Sequence, residues 1–357
     1  MIRAMSTARV EPAAPPTAAE FDVFLAGPVF MDIVFSGMDY APVLGAETWA
    51  KSMGSCPDGI ANMAVALQRL GLSATLATAF GDDSYGDLCR ECLELVEGVD
   101  ISRSVRMIGK HTPLTVSLAY DGDRTMVSHG HIDEHPSVDD ADIPTTRFVI
   151  APLDPEGPVP WLATAHERGA TVVLNSGWDA TGAWDLHALS DLALADVFVA
   201  NEVEALSWTR AENAAAAARV LAEQVGLAVV TRGRHGAVAV DRKTGELVEV
   251  AGMGTKAVDP TGAGDIFVAG LVAALAKGRT SREALTVGCV AAGLSVQELG
   301  GSLSAPTSDE IALWHAHNPA RHEPGFEAEY GFLPELFPPS DHSRRRRRAF
   351  PTVGFRP

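Results

Sequence analysis

The chain has 357 residues, enough for one large α/β domain or two small ones, and its 46% apolar content is ample for a core. The formal charge is −18. Residues 1–20 balance two Arg against two Glu and residues 316–357 set seven Arg against five acids, so residues 21–315 carry −20 and do not suit a polyanionic nucleic acid. No apolar run reaches the roughly 18 residues of a membrane span, and four scattered cysteines make no disulfide framework. A soluble, cytoplasmic protein with no membrane partner is the expectation.

"MIRAMSTARVEPAAPPTAAE" has basic residues but no apolar signal core, and reads as a disordered leader over residues 1–20. "DVFLAGPVFMDIVF" is a buried strand that breaks at Gly27-Pro28 and continues as a second extended piece. "GIANMAVALQRLGL" has helical spacing, "SATLATAFG" reads as a strand and "SYGDLCRECLELVEG" as a helix. "LTVSLAYDGDRTMVSH" is a hairpin around Asp121-Gly122-Asp123. Strands "RFVIAP", "TVVLNS", "DVFVAN" and "LAVVTRG" then alternate with helices "PVPWLATAHERG", "AWDLHALSDLALA", "EVEALSWT" and "NAAAAARVLAEQVG". A hairpin, "GAVAVDRKTGELVEVAG", precedes two last helices, "DIFVAGLVAALAKG" and "REALTVGCVAAGLSVQELG". This alternation predicts a doubly wound, mostly parallel sheet with helices on both faces over residues 21–315. Extended segments at about 28–55 and 105–130 do not fit it, and are expected to form a small β-sheet lid. Residues 316–357, rich in Pro and Arg, carry no motif and no core periodicity. They read as a disordered tail, and the run Arg344–Arg348 as a solvated charge cluster.

The most informative stretch is "VDPTGAGDIFVAG". Gly262, Ala263, Gly264 and Asp265 open a long apolar helix, where backbone N–H groups lack partners and the helix dipole is positive. Such an end attracts an anion, and glycine lets it approach the backbone. Two readings stand at this point: a Gly-rich turn with a dipole-compensating Asp, or a phosphate cradle with a carboxylate aimed at a reacting hydroxyl. There is no G-x-x-x-x-G-K-[ST], and no G-x-G-x-x-G opens a helix after the first strand.

The run Asp259 to Asp265 resembles the C-terminal signature of the ribokinase-like (PfkB) family of carbohydrate and nucleoside kinases, and the resemblance extends over nearly all of residues 21–310. Asp32 falls where the family delivers a sugar-binding aspartate, and "GIANMAVALQRLG" is similar to a signature containing Asn62. "AFGDDSYGD" is similar to the family's G-D-D-x-x-G. "NEVEA" supplies an N-x-x-E through Asn201 and Glu204, and "TRGRHGA" a T-x-G nucleotide loop through Thr231 and Gly233.

The resemblance implies ATP- and Mg²⁺-dependent phosphoryl transfer to a primary hydroxyl. Gly262, Ala263 and Gly264 would form an anion hole and Asp265 would take the hydroxyl proton. Asn201 and Glu204 would hold Mg²⁺ near the nucleotide phosphates. Asp259, Thr261 and Ser304 match an alkali-ion loop, which makes K⁺ a further expectation. Lid strands in this family often pair across a dimer, so a homodimer is expected. Because a helix N-terminus lowers a carboxylate's pKa, Asp265 is expected below the ordinary ~3.9.

One departure stands out. The family's N-terminal signature opens with a Gly-Gly pair; the matching positions here are Pro57 and Asp58. Proline fixes φ and lacks an N–H, so the usual turn and hinge are not expected. Asp58 either offers a sugar hydroxyl an acceptor or caps the following helix. Cys89-x-x-Cys92 has no second pair and reads as structural thiols, and His129, His131 and His135 as a polar lid loop. A sugar kinase of the ribokinase/fructokinase type is the leading reading. A nucleoside kinase on the same fold and a non-catalytic regulator are the alternatives.

Overall fold

β1 (Phe21–Ala26) and β2 (Val29–Ser36) flank Gly27-Pro28, and they belong to different sheets. Pro28 has no N–H to continue a ladder, so the break falls there. The computed structural model describes residues 19–120, 123–131, 138, 143–153, 157–177, 179 and 181–338. Residues 1–18 of the leader, the Asp121-Gly122 turn, His135 and Arg344–Arg348 lie outside the described residues.

The next elements are β3 (Ser52–Gly59), α1 (Ile60–Arg69), β4 (Ala74–Ala77), β5 (Ala79–Gly81) and α2 (Ser84–Glu91). They are followed by β6 (Val105–Met107), β7 (Leu114–Tyr120), β8 (Asp123–His129), β9 (Thr146–Pro152), α3 (Leu162–Glu167) and β10 (Thr171–Asn175). Then come β11 (Val197–Asn201), α4 (Glu202–Thr209), α5 (Ala214–Leu221), β12 (Leu227–Thr231), β13 (Ala237–Asp241) and β14 (Leu247–Val250). The chain continues with α6 (Ala263–Ala276), α7 (Ser281–Ser295), α8 (Ser308–His317), α9 (Phe326–Tyr330) and α10 (Leu333–Leu336).

The large sheet runs β14-β13-β12-β11-β10-β9-β1-β4, parallel from β4 to β12 and antiparallel at β13 and β14. Strand side chains alternate faces, so successive residues feed two cores. Val23, Leu25, Ile150, Val197 and Val229 pack with α1, α6 and α7, while Phe24, Val149, Val172, Phe198 and Val230 pack with α3 and α5. The doubly wound sheet expected from the alternation is present.

A second sheet, β3-β2-β7-β8, is entered from the carboxyl end of β1 through Gly27-Pro28. Its register sets Asp32 level with Cys56 and Thr115, and Thr115 level with Ser128. By the two-residue period, Asp58, Cys56, Asp32, Thr115, Ser128 and Arg124 share its inner face. Ile33, Phe35, Met53, Val116, Leu118 and Val127 share the outer face.

Three expectations need correction. Val105–Met107 does not join the lid: β6 pairs with β5, held by Arg106 on Asp82 and Asp87. "AWDLHALSDLALA" is two 3₁₀ turns, because Asp191 turns inward to accept the Val159 N–H at 2.7 Å. Residues 316–337 are not outside the fold. Trp314, Phe326 and Tyr330 cluster, and Leu333, Leu336 and Phe337 are buried in the main core. Two short helices carry too few residues to show a period, which hid them in the sequence.

Candidate active site

The mouth of α6 is shaped by its turn. Gly262 stands at φ 71° as the N-cap, and the Ala263 N–H donates to the Pro260 carbonyl at 3.2 Å. Among the described residues, the N–H groups of Gly264 and Asp265 meet no backbone acceptor, as the first turn of a helix dictates. A methyl group added at Gly264 would meet nothing within 4 Å, so an anion has open access there. The preceding loop is pinned by Asp259, whose carboxylate accepts from the Thr261 N–H at 3.0 Å and the Gly300 N–H at 3.1 Å. Ser304 lies in the turn after Gly300, with its hydroxyl donating to the Gly301 carbonyl at 2.7 Å.

Asn62, in the first turn of α1, joins the two halves of the site. Its Nδ2 donates to Asp58 Oδ1 at 3.0 Å and to Asp265 Oδ2 at 2.9 Å. Two carboxylates require donors, so the amide is oriented with its nitrogen between them. Asn62 Oδ1 and Asp58 Oδ2 are buried without a partner, facing Gly301. A Cβ at Gly301, whose φ is +43°, would come within 2.5 Å of Asp58 Oδ2. Arg69 holds the loop that carries Gly301. Paired with Glu97 at 2.8 Å, it donates to the Leu303 and Ala305 carbonyls at 2.9 and 2.6 Å.

The Pro57-Asp58 departure takes a different form from the one expected. The turn into α1 is made by Gly59 at φ 68°, where a Cβ would meet the Pro28 carbonyl oxygen, so a glycine makes the turn one position later than expected. Pro57 sits in β3 opposite Met31. Asp58 does not cap α1, whose N-cap Gly59 has no side-chain bond; its Oδ1 accepts the Gly59 N–H at 2.6 Å.

The carboxylates are crowded. Burial pushes Asp265 up to about 7, against the Asn62 hydrogen bond and with help from the fields of Asp58 and Glu204. The expected lowering is reversed, because burial penalises the charged form. Burial also pushes Asp32 upward, reinforced by Asp58 and Asp259 and opposed by Arg124. Asp58 is raised by burial too, against its bonds from Gly59 and Asn62.

The strand ends complete the site. Asn175, ending β10, donates to Asp265 Oδ1 at 3.4 Å. Asn201 and Glu204 form a capping box at α4, with bonds of 2.9 and 3.1 Å. Burial raises the Glu204 carboxyl, opposed by the Asn201 N–H, the Ser176 hydroxyl and the Asn201 side chain. A buried carboxylate that accepts from neutral donors, beside an amide oxygen, fits a hard divalent cation. Thr231 pairs in register with Asn201, and Gly233 begins the turn beyond it.

Asn175, Gly301 and Arg124 were missed. A polar residue at the end of a β-branched run and the Gly300-Gly301 doublet were the available signals for the first two. Arg124 had none. Asp83, in the G-D-D-x-x-G segment, does not reach the site: it caps α2 through the Gly86 N–H and binds Thr112. The four cysteines are buried, free thiols.

A carboxylate poised near neutrality beside unpartnered N–H groups can take a proton from an alcohol while the backbone receives developing negative charge. Such an arrangement suits the transfer of an anionic group such as a phosphoryl to an alcohol. Comparison with known proteins gives the family: the chain belongs to the pfkB family carbohydrate kinases, whose model matches residues 59–308. It is 30% identical to a ribokinase of Haemophilus influenzae over 72% of this chain and 86% of that one. It is also 30% identical to an ATP-dependent ribose-1-phosphate kinase of Halopiger xanaduensis, over 82% and 97%. Among solved structures, a putative ribokinase from Agrobacterium tumefaciens superimposes with a TM-score of 0.71 at 25% identity, covering 80% of this chain and 94% of that one. The protein is a kinase acting on an alcohol acceptor. No helix among the described residues is long and apolar enough to cross a membrane.

Proposed function

We propose that the protein uses ATP to phosphorylate a primary hydroxyl of a small sugar. The observation that carries this reading is the Asp58–Asn62–Asp265 chain of hydrogen bonds, which couples the base at the helix mouth to the lid face bearing Asp32. Asp32 and Asn62 would accept and orient the sugar hydroxyls, with Asp58 behind them. Asp265 takes the proton from the attacking hydroxyl as its oxygen bonds to the γ-phosphorus and the bond to ADP breaks. The N–H groups at Gly262–Gly264 receive charge on the transferred group, the Ala263 N–H turning from Pro260 to do so. Thr231 and Gly233 would contact the nucleotide. Asn201 and Glu204 would hold Mg²⁺, which when bound neutralises phosphate charge. Asp259, Thr261 and Ser304 would lie about K⁺ beside the anion hole.

A coupled ADP-release assay over pentoses, hexoses, ketoses, inosine and adenosine tests the reading. Turnover of a sugar, faster in K⁺ than in tetramethylammonium, is the expected result. Preference for a nucleoside would replace the sugar by the nucleoside reading. Turnover of none, with tight ATP binding, would make the protein a regulator.

We also infer that two copies pair through the outer face of the lid. That face is apolar, and Trp49 (81% exposed) and Val127 (65%) extend it. Light scattering at micromolar concentration should give twice the chain mass, and Val127→Asp should halve it; a wild-type monomer removes the idea.

A further inference from the structure

Arg124 lies on the inner face of β8, on the same side as Ser128, Thr115 and Asp32. Its Nη1 donates to Thr261 Oγ1 at 2.6 Å, across 137 residues of chain. Thr261 immediately precedes the glycine-rich turn, so the guanidinium stands at the rim of the proposed anion hole. Its field also reaches Asp32 and Asp58, opposing the rise of both carboxyls. The side chain therefore spans the space between the sugar-facing carboxylates and the helix mouth, which the transferred group must cross.

A guanidinium carries five donors in a planar fork that matches phosphate oxygens, and it keeps its charge at any working pH. The hole itself offers only backbone N–H groups, which carry partial charge. Phosphoryl transfer depends on neutralising charge spread over three equatorial oxygens, and a full positive charge is the effective complement.

We propose that Arg124 is a catalytic residue, delivered by the lid to the γ-phosphoryl group as it passes to the sugar hydroxyl. The inference rests on the kinase reading above. The sugar oxygen bonds to phosphorus, the bond to the bridging oxygen of ADP breaks with its electron pair leaving on ADP, and the hydroxyl proton goes to Asp265. Arg124 exchanges no bond. It shifts from Thr261 Oγ1 to the equatorial oxygens and holds their charge. This also makes chemistry depend on lid closure, since β8 is the edge strand of the lid.

The test uses the full chain with Arg124→Ala and Arg124→Lys, on the best substrate of the panel. Arg124→Ala should lower kcat by roughly 10²–10³-fold, with ATP affinity by calorimetry within about threefold of wild type. Arg124→Lys should fall between, because a point charge replaces the fork. Added guanidinium ion should restore part of the alanine variant's kcat and leave wild type unaffected, which a merely structural role would not produce. A kcat within about threefold of wild type, a loss confined to the sugar KM, or a loss that guanidinium leaves untouched overturns the proposal. Wild-type turnover in the same assay stands for the kinase reading, so the two failures are told apart.

Discussion

Asp265→Asn is expected to lower kcat by roughly 10²–10⁴-fold while ATP and sugar still bind. The amide keeps the shape and the oxygen that accepts from Asn62 Nδ2 at 2.9 Å, but it has no lone pair basic enough to take the hydroxyl proton. The wild-type carboxyl, raised by burial to about 7, is better matched to neutral pH than an ordinary aspartate. The pH profile follows from the sign of that shift. The base works ionised, so kcat/KM should rise about tenfold per pH unit below about 7 and level off above it. Asp265→Asn should remove that limb.

Stability moves the other way. A carboxyl whose folded pKa is raised favours the fold when protonated, so this contribution is complete below about 3.9 and is lost as pH climbs through about 7. The Asn variant, which never ionises, should therefore melt no lower than wild type at pH 8, and higher if relaxation around residue 265 is small. Near-normal turnover in a variant with that thermal profile would sink the mechanism. Lost turnover with a collapsed melting curve would instead mark Asp265 as structural.

How far the sequence revealed this site depended on whether the signal was local. Gly262 to Asp265 are consecutive and lie in one helix turn, so the glycine-rich opening of α6, with its unpaired N–H groups, could be read directly. The alternation of β-branched runs with amphipathic helices likewise fixed the large sheet, because each strand feeds both cores. Asn62 and Asp265 are 203 residues apart, and their bond exists only because α1 and α6 pack side by side. No spacing rule predicts it; the family resemblance placed both residues, but not the link or its extension to Asp58.

Charge was harder still. The helix dipole is visible in a sequence, whereas burial is not, and burial decides the direction for Asp265, Asp32 and Asp58. Arg124 was silent for a related reason. On an edge strand nearly every residue is polar or exposed, so nothing in the sequence distinguishes the side chains that turn inward. The Gly-Gly departure misled because motif alignment compares letters, while the backbone requires one left-handed residue, and Gly59 supplies it.

Asp32→Ala is expected to lower kcat/KM for the sugar by about 2–4 kcal/mol, with ATP affinity scarcely changed. Asp32 is 5% exposed on the inner face of the lid, level with Cys56 and Thr115. Among the causes of its raised pKa there is no hydrogen bond: burial leads, then the field of Asp58, with Arg124 in opposition. A carboxylate so placed is costly to the free enzyme and offers its oxygens to an incoming donor. Two adjacent sugar hydroxyls can both donate to it, and removal leaves them unpaired in a closed site. The cost would then fall on the sugar and not on the nucleotide, whose proposed contacts lie at the ends of β11 and β12. Asp32→Asn separates charge from shape: an amide oxygen accepts one hydroxyl, so about half of the loss in free energy should return. The free enzyme gives an independent check. Removal of a buried carboxyl that burial and the field of Asp58 hold above its ordinary pKa should raise the melting temperature of Asp32→Ala at neutral pH. If ATP binding weakens in step with the sugar, or the variant melts well below wild type, Asp32 supports the lid and does not read the substrate.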